Sequence, residues 1–109
     1  MNLQINTMVE RNRRIVQLEG EVDVYTASIL KEALTPLTKQ NNVEIIIDLS
    51  HVHYIDSTGL GIFIGTLKAA NKAQSTLRIN GANERISRLF SITGLDEVIE
   101  IEADKREEV

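Results

Sequence analysis

Asp56-Ser57-Thr58-Gly59-Leu60-Gly61 is the stretch whose residue types and spacing are best suited to chemistry. It sets a carboxylate, two hydroxyls and two glycines where an apolar run ends and a helical period begins. Ser57, Gly61 and Gly65 fall four residues apart, so one face of that helix carries almost no side-chain bulk. Each interior glycine costs a helix roughly 1 kcal/mol relative to alanine. Ile62 breaks the inner stripe Leu60, Phe63, Ile64, Leu67 and Ala70 and is expected to be at least partly exposed. A bare face with one apolar projection suits close approach by another protein. Each residue also has a plainer reading: Ser57 as a helix cap, Gly59 and Gly61 as tight packing, Ile62 as an isolated surface apolar.

Charge favours the less plain reading. From Gln40 to Leu67, 28 residues contain no Lys or Arg, yet they hold Glu44, Asp48 and Asp56. A phosphate on Ser57 would add about 1.5–2 negative charges. It would sit at a helix N-terminus, where the dipole and free N–H groups tolerate anions. No cation near in sequence could draw it into a salt bridge; only the distant Arg85 and Arg88 remain as candidates. Phosphorylation is therefore expected to leave the fold intact and to repel a partner.

Other chemistries fit less well, and no catalytic residue, cofactor or metal site is expected. A dinucleotide fingerprint needs G-x-G-x-x-G, but Ile64 stands where the third glycine belongs. An aspartic protease needs Asp, one hydroxyl residue and Gly in succession, whereas Asp56-Ser57-Thr58-Gly59 has one residue too many. The G-x-S-x-G elbow of a serine hydrolase fails at Ile55. His51 and His53, near Asp48 and Asp56, read more simply as surface or packing residues than as metal ligands. Arg11, Arg13 and Arg14 read as a solvated turn.

The elements that must position Ser57 follow from periodicity. Leu3 to Val9 alternates apolar and polar, and Ile15 to Glu19 forms a second strand ended by Gly20, so the pair reads as a hairpin. Ala27, Leu30, Ala33, Leu34 and Leu37 mark a helix capped by Thr26 or Ser28, which Pro36 bends or ends. Val43 to Leu49 reads as a central strand covered on both faces. A helix over about Ser57 to Ala73, a strand Thr76 to Asn80 ended by Gly81, a helix Glu84 to Ser91 and a short strand Val98 to Ile101 complete the order ββαβαβαβ. Right-handed crossovers then bring the loops Asp23 to Ser28, Asp56 to Gly61 and Gly81 to Glu84 to one carboxyl-end rim.

The expected fold is α/β: one domain over residues 1–101, a mixed sheet with an N-terminal hairpin and about three helices, then a charged tail over 102–109. The chain has 109 residues and no cysteine, which excludes a disulfide framework or a thiol nucleophile. Its 12 basic and 16 acidic side chains argue against a nucleic-acid platform, which needs clustered cations. No apolar stretch approaches the roughly 20 residues that cross a bilayer, and a cytoplasmic location is expected.

Asp56-Ser57-Thr58-Gly59-Leu60-Gly61 at the end of an apolar strand resembles the phosphorylation motif of STAS-domain anti-sigma factor antagonists. Gly20-Glu21-Val22-Asp23-Val24-Tyr25-Thr26-Ala27, Gly65-Thr66-Leu67-Lys68 and Arg88-Leu89-Phe90-Ser91-Ile92-Thr93-Gly94-Leu95 extend the resemblance over essentially the whole chain. Asp23-Val24-Tyr25-Thr26 and Ile92-Thr93-Gly94 are similar to the general-stress, sigma-B branch. The resemblance implies a binder and substrate that is not an enzyme. Its unphosphorylated form would bind an anti-sigma factor serine kinase and so free a sigma factor. Phosphorylation of Ser57 would switch binding off, and a PP2C-type phosphatase would reverse it. It also implies that Asp23, Thr26, Asp56, Thr58, Gly59, Gly61 and Ile62 surround Ser57 in the contact, with Asp56 orienting the loop. A STAS-like nucleotide sensor using the same rim is the alternative.

Overall fold

The computed structural model describes residues 2–103. Strand β1 (Leu3–Glu10) pairs antiparallel with β2 (Arg13–Val22). There follow α1 (Ala27–Thr38), β3 (Glu44–Ile55), α2 (Ser57–Lys72), β4 (Thr76–Ala82), α3 (Glu84–Thr93), a 3-10 turn (Leu95–Glu97) and β5 (Glu100–Ala103). The sheet order is β1-β2-β3-β4-β5, and β2 to β5 are parallel. The element order and mixed sheet are those expected.

Crossovers of one hand between successive neighbouring strands put every helix on the same face of the sheet. Phe63 of α2 and Phe90 of α3, both fully buried, meet edge to face there with ring centroids 6.5 Å apart. Ile45, Ile47 and Leu49 of β3 are fully buried beneath the helices. The expected second covering layer is absent among the described residues. A ladder of ion pairs crosses the opposite face instead: Glu10–Arg13 (3.8 Å), Arg13–Glu44 (3.0 Å), Glu44–Arg78 (3.9 Å) and Arg78–Glu100 (2.7 Å). It touches all five strands, and Glu100 foremost raises the Arg78 guanidinium pKa further. Ile46, flanked by its register partners Ile15 and Arg78, is only 6% exposed on this face.

Several boundaries differ from expectation. Gly20 does not end β2: its backbone, at φ +123°, passes so close to Asn2 that a Cβ would lie 2.1 Å from the carbonyl oxygen, and the strand continues to Val22. Arg13 and Arg14 belong to β2 and not to a solvated turn; Arg14 donates to Gln40 at 2.8 Å. With β2 longer, β3 has a partner through Ile55 and absorbs Ser50 to Tyr54, so His51 and His53 lie within the strand, exposed. Pro36 sits inside α1, which runs two residues beyond it. Thr66 replaces Ile64 on the buried stripe of α2, and Ile64 is 41% exposed. Val98 precedes the last strand, which extends over Glu102 and Ala103; the rest of the expected tail, 104–109, lies outside the described residues. Among the described residues no helix is long and apolar enough to cross a membrane.

Because Phe63 and Phe90 join two helices over the sheet centre, Phe63→Ala is expected to cost about 3–5 kcal/mol, measured by urea unfolding. A loss below about 1 kcal/mol would show that this contact does not hold α3 to α2.

Candidate functional site

The carboxyl ends of β2, β3 and β4 deliver Asp23, Asp56 and Asn83 to one edge of the sheet. The Asp56 amide donates to the Val22 carbonyl at 3.1 Å, which ties the end of β3 to the end of β2. The Asp56 backbone is extended, and its Oδ1 accepts from the amides of Thr58 (2.9 Å) and Gly59 (3.3 Å). This carboxylate is the N-cap of α2. Gly59 rests directly on the strand ends: a Cβ there would lie 2.6 Å from Val22 Cγ1 and 2.9 Å from Ile55 Cγ2. The first turn of α2 is therefore seated on β2 and β3 by a missing side chain.

Ser57 opens the helix, exposed, and its hydroxyl has no hydrogen-bond partner among the described residues. Among the described residues no side chain is hydrogen-bonded to it as a base that would activate a nucleophile. It is a free acceptor hydroxyl. At the helix start the Asp56 carboxylate already holds the Thr58 and Gly59 amides, and the Leu60 amide bonds the Asp56 carbonyl at 3.2 Å. Of the free N–H groups expected to make an anion tolerable there, those of Thr58 and Gly59 are taken by Asp56.

The β2–α1 loop is closed by the other acidic residue. Asp23 Oδ1 accepts from the amides of Tyr25 (2.9 Å) and Thr26 (3.0 Å), while the Asp23 amide donates to Thr26 Oγ1 (3.0 Å). Thr26 Oγ1 also donates to the Glu21 carbonyl at 2.9 Å. Thr26 is 1% exposed and makes no side-chain cap to α1, so it shapes the loop from beneath instead of facing outward. Burial pushes the Asp23 carboxyl up, but the Thr26 and Tyr25 amides, together with the positive charge of the N-terminal amine, bring its pKa below the ordinary value. The closed loop throws Val24 and Tyr25 outward, at 63% and 71% exposure. Sequence reasoning missed both, although an Asp-x-x-Thr turn of this kind signals that the two middle residues project.

Beyond its first turn, α2 presents a bare ridge between two grooves. Ideal Cβ atoms at Gly61 and Gly65 would meet nothing within 4 Å. On the α1 side a groove of about 470 Å³ is lined by Lys31, Thr35, Thr58, Gly61 and Ile62. Ile62 is half-buried against the core there, so the exposed apolar projection is Ile64. On the α3 side a groove of about 590 Å³ contains Ser57, Leu60, Gly61, Ile64 and Val98, and its only lining cation among the described residues is Lys68. Lys68 lies eleven residues along the helix from Ser57, roughly 16 Å at the usual rise. Among the described residues no three His, Cys, Asp or Glu side chains are grouped to hold a metal.

Residues 4–108 match the family model described as the STAS domain. The anti-sigma-B factor antagonist of Staphylococcus aureus (strain NCTC 8325 / PS 47) is 46% identical over 101 residues, which cover 93% of this chain and 94% of that one. Its Staphylococcus epidermidis counterpart is 45% identical with the same coverage. In fold, the chain is similar to the crystal structure of an anti-sigma factor antagonist from Mycobacterium paratuberculosis, with a TM-score of 0.84 at 24% identity over 93% of this chain and 86% of that one.

The two kinds of glycine give opposite expectations. Gly59→Ala forces the helix start off Val22 and Ile55 and should lower the thermal midpoint. Gly61→Ala meets open space and should raise stability by up to about 1 kcal/mol. Thermal unfolding of the two variants separates them; a loss of stability in Gly61→Ala would show that Gly61 serves the fold.

Proposed function

The chain belongs to the STAS-domain family of anti-sigma factor antagonists, and from that premise we propose that it is a phosphorylation-switched binding module with Ser57 as the switch. In the unphosphorylated state the rim around Ser57 binds an anti-sigma factor that is also a serine kinase, releasing a sigma factor in the cytoplasm. The kinase phosphorylates Ser57, and a PP2C-type phosphatase removes the phosphate. The protein acts as binder and substrate, not as an enzyme. The observation that carries this is the exposed Ser57 hydroxyl, unpartnered among the described residues, next to a cap whose donors Asp56 has already taken.

The electrostatics give the switch its sign. Phosphorylation would take the formal charge from −4 to about −6. The new charge meets the Asp56 carboxylate on one side, Lys68 is the cation of the groove that contains Ser57, and Lys31 lies across the α1-side groove. No cation is hydrogen-bonded to Ser57 among the described residues, so the phosphate projects its charge at whatever approaches. A partner carboxylate about 4 Å away would feel roughly 4 kcal/mol of repulsion per unit charge at an effective dielectric near 20. That is about a thousandfold in affinity. The bare ridge at Gly61 and the outward Val24, Tyr25 and Ile64 supply the contact that the phosphate disrupts. The nucleotide-sensor alternative gains no support, since the amides that would cradle a phosphate are occupied by Asp56.

Binding to the anti-sigma kinase, measured by calorimetry, should persist for Ser57→Ala under phosphorylating conditions and fall at least about tenfold for Ser57→Asp. Equal affinity of both variants and the wild type would sink the switch. Asp23→Asn keeps an oxygen for the Tyr25 and Thr26 amides but loses the charge, so it should weaken binding while preserving the melting transition. The lowered Asp23 pKa also fixes a sign: its contribution to stability is present above the unfolded value near 3.9 and is lost only as pH falls through the lower folded value. An NMR titration of the Asp23 carboxyl with a midpoint at or above about 3.9 would contradict this.

A further inference from the structure

β3 outruns its neighbour. Its pairing with β4 stops at Asp48↔Asn80, whereas its pairing with β2 continues to Val22↔Ile55. Over its last residues β3 is therefore an edge strand among the described residues, and an open edge is a template for another strand. The Asn83 side-chain amide donates to the Val52 carbonyl at 3.5 Å, standing where a neighbouring strand would place an N–H, so the polar groups of this edge do point outward. Beyond Asn83 a groove of about 270 Å³ runs between the edge and α3, lined by Tyr54, Ile55, Leu89 and Ile92 and flanked by Arg85 and Arg88. Tyr54 is 47% and Ile92 75% exposed. Arg88 is held by Glu84 of its own helix at 3.1 Å, and the exposed Arg85 has no ion pair among the described residues.

We propose that this groove docks an extended segment of a partner protein, rich in carboxylates and carrying an apolar anchor, which adds as a strand to the free edge of β3. Backbone pairing supplies the affinity of such a mode, and pockets for alternate side chains supply its selectivity. A volume of about 270 Å³ suits one aliphatic or aromatic anchor between Tyr54 and Ile92. Arg85 and Arg88 select carboxylates at its flanks, in a chain otherwise short of positive charge near the rim. The groove shares no lining residue with the two grooves beside the Ser57–Gly61 ridge. It stays open whether or not Ser57 carries a phosphate, so a second partner can hold the phosphorylated form.

The test titrates the intact protein with a fluorescein-labelled peptide of alternating glutamate and valine, followed by anisotropy and by amide hydrogen exchange. Saturable binding, new protection of the amides at positions 53–55, and binding weakened at least about tenfold in the double variant Arg85→Glu, Arg88→Glu are expected. Ser57→Asp should bind the peptide as the wild type does. Absence of saturation up to about 1 mM, equal binding of the matching lysine–valine peptide, or protection confined to α2 would overturn the proposal. So would sedimentation showing a dimer that Arg85→Glu, Arg88→Glu dissociates, because a second copy would then be the occupant. The Ser57 switch stands or falls separately, on kinase binding.

Discussion

One carboxylate at the end of β3 sets the geometry of the rim. Asp56 accepts from the amides of Thr58 and Gly59, and its own amide bonds the Val22 carbonyl of the adjacent strand. These contacts decide where α2 begins, how its first turn sits on β2 and β3, and that Ser57 faces outward with its hydroxyl free. The same contacts take the Thr58 and Gly59 amides of the helix terminus. A phosphate placed on Ser57 therefore lands beside a negative charge and cannot be absorbed by the helix that presents it. A cap that serves the fold would thereby also make the proposed phosphorylation felt outside it.

Around that point the rim divides into residues that build and residues that meet. Thr26 is buried and closes the β2–α1 loop; Gly59 leaves room for Val22 and Ile55; Asn83 caps α3 with a bond to the Ile86 amide at 2.8 Å. Val24, Tyr25, Ile64 and the open ridge at Gly61 and Gly65 do little for the fold and are presented to solvent. The far face of the sheet carries the ion-pair ladder in place of a second covering layer among the described residues. In the proposed switch, a change of charge at this edge alters binding without disturbing the core.

Much of this was legible in the sequence because it depends on local pattern. The alternation of Leu3 to Val9, the apolar run before Asp48 and the helical spacing after Ser57 identify elements, and the crossover rule brings their ends together. What escaped depends on long-range pairing. Gly20 reads as a stop until the approach of Asn2 shows that it admits a close neighbour inside a strand. The length of β3 follows from the length of β2, so the overhang at His53 to Ile55 had no local signal. The coverage of β3 was misjudged because a run of isoleucines does not reveal that Glu44 and Arg78 shelter one side. Ile62 and Ile64 differ in exposure because α1 approaches one flank of α2, a fact of packing that helical spacing alone does not carry. Thr26 looked like a surface contact because its hydroxyl bonds only make sense once the loop is closed.

In the proposed switch, phosphorylation at Ser57 acts by charge at an unchanged surface. The most direct measurement compares amide NMR spectra of the protein before and after stoichiometric phosphorylation of Ser57, with kinase binding recorded on the same samples. The account predicts shifts confined to the first turn of α2 and the adjoining β2–α1 loop, together with loss of binding. Widespread shifts through the sheet and α3, or retained binding of the phosphorylated form, would contradict it.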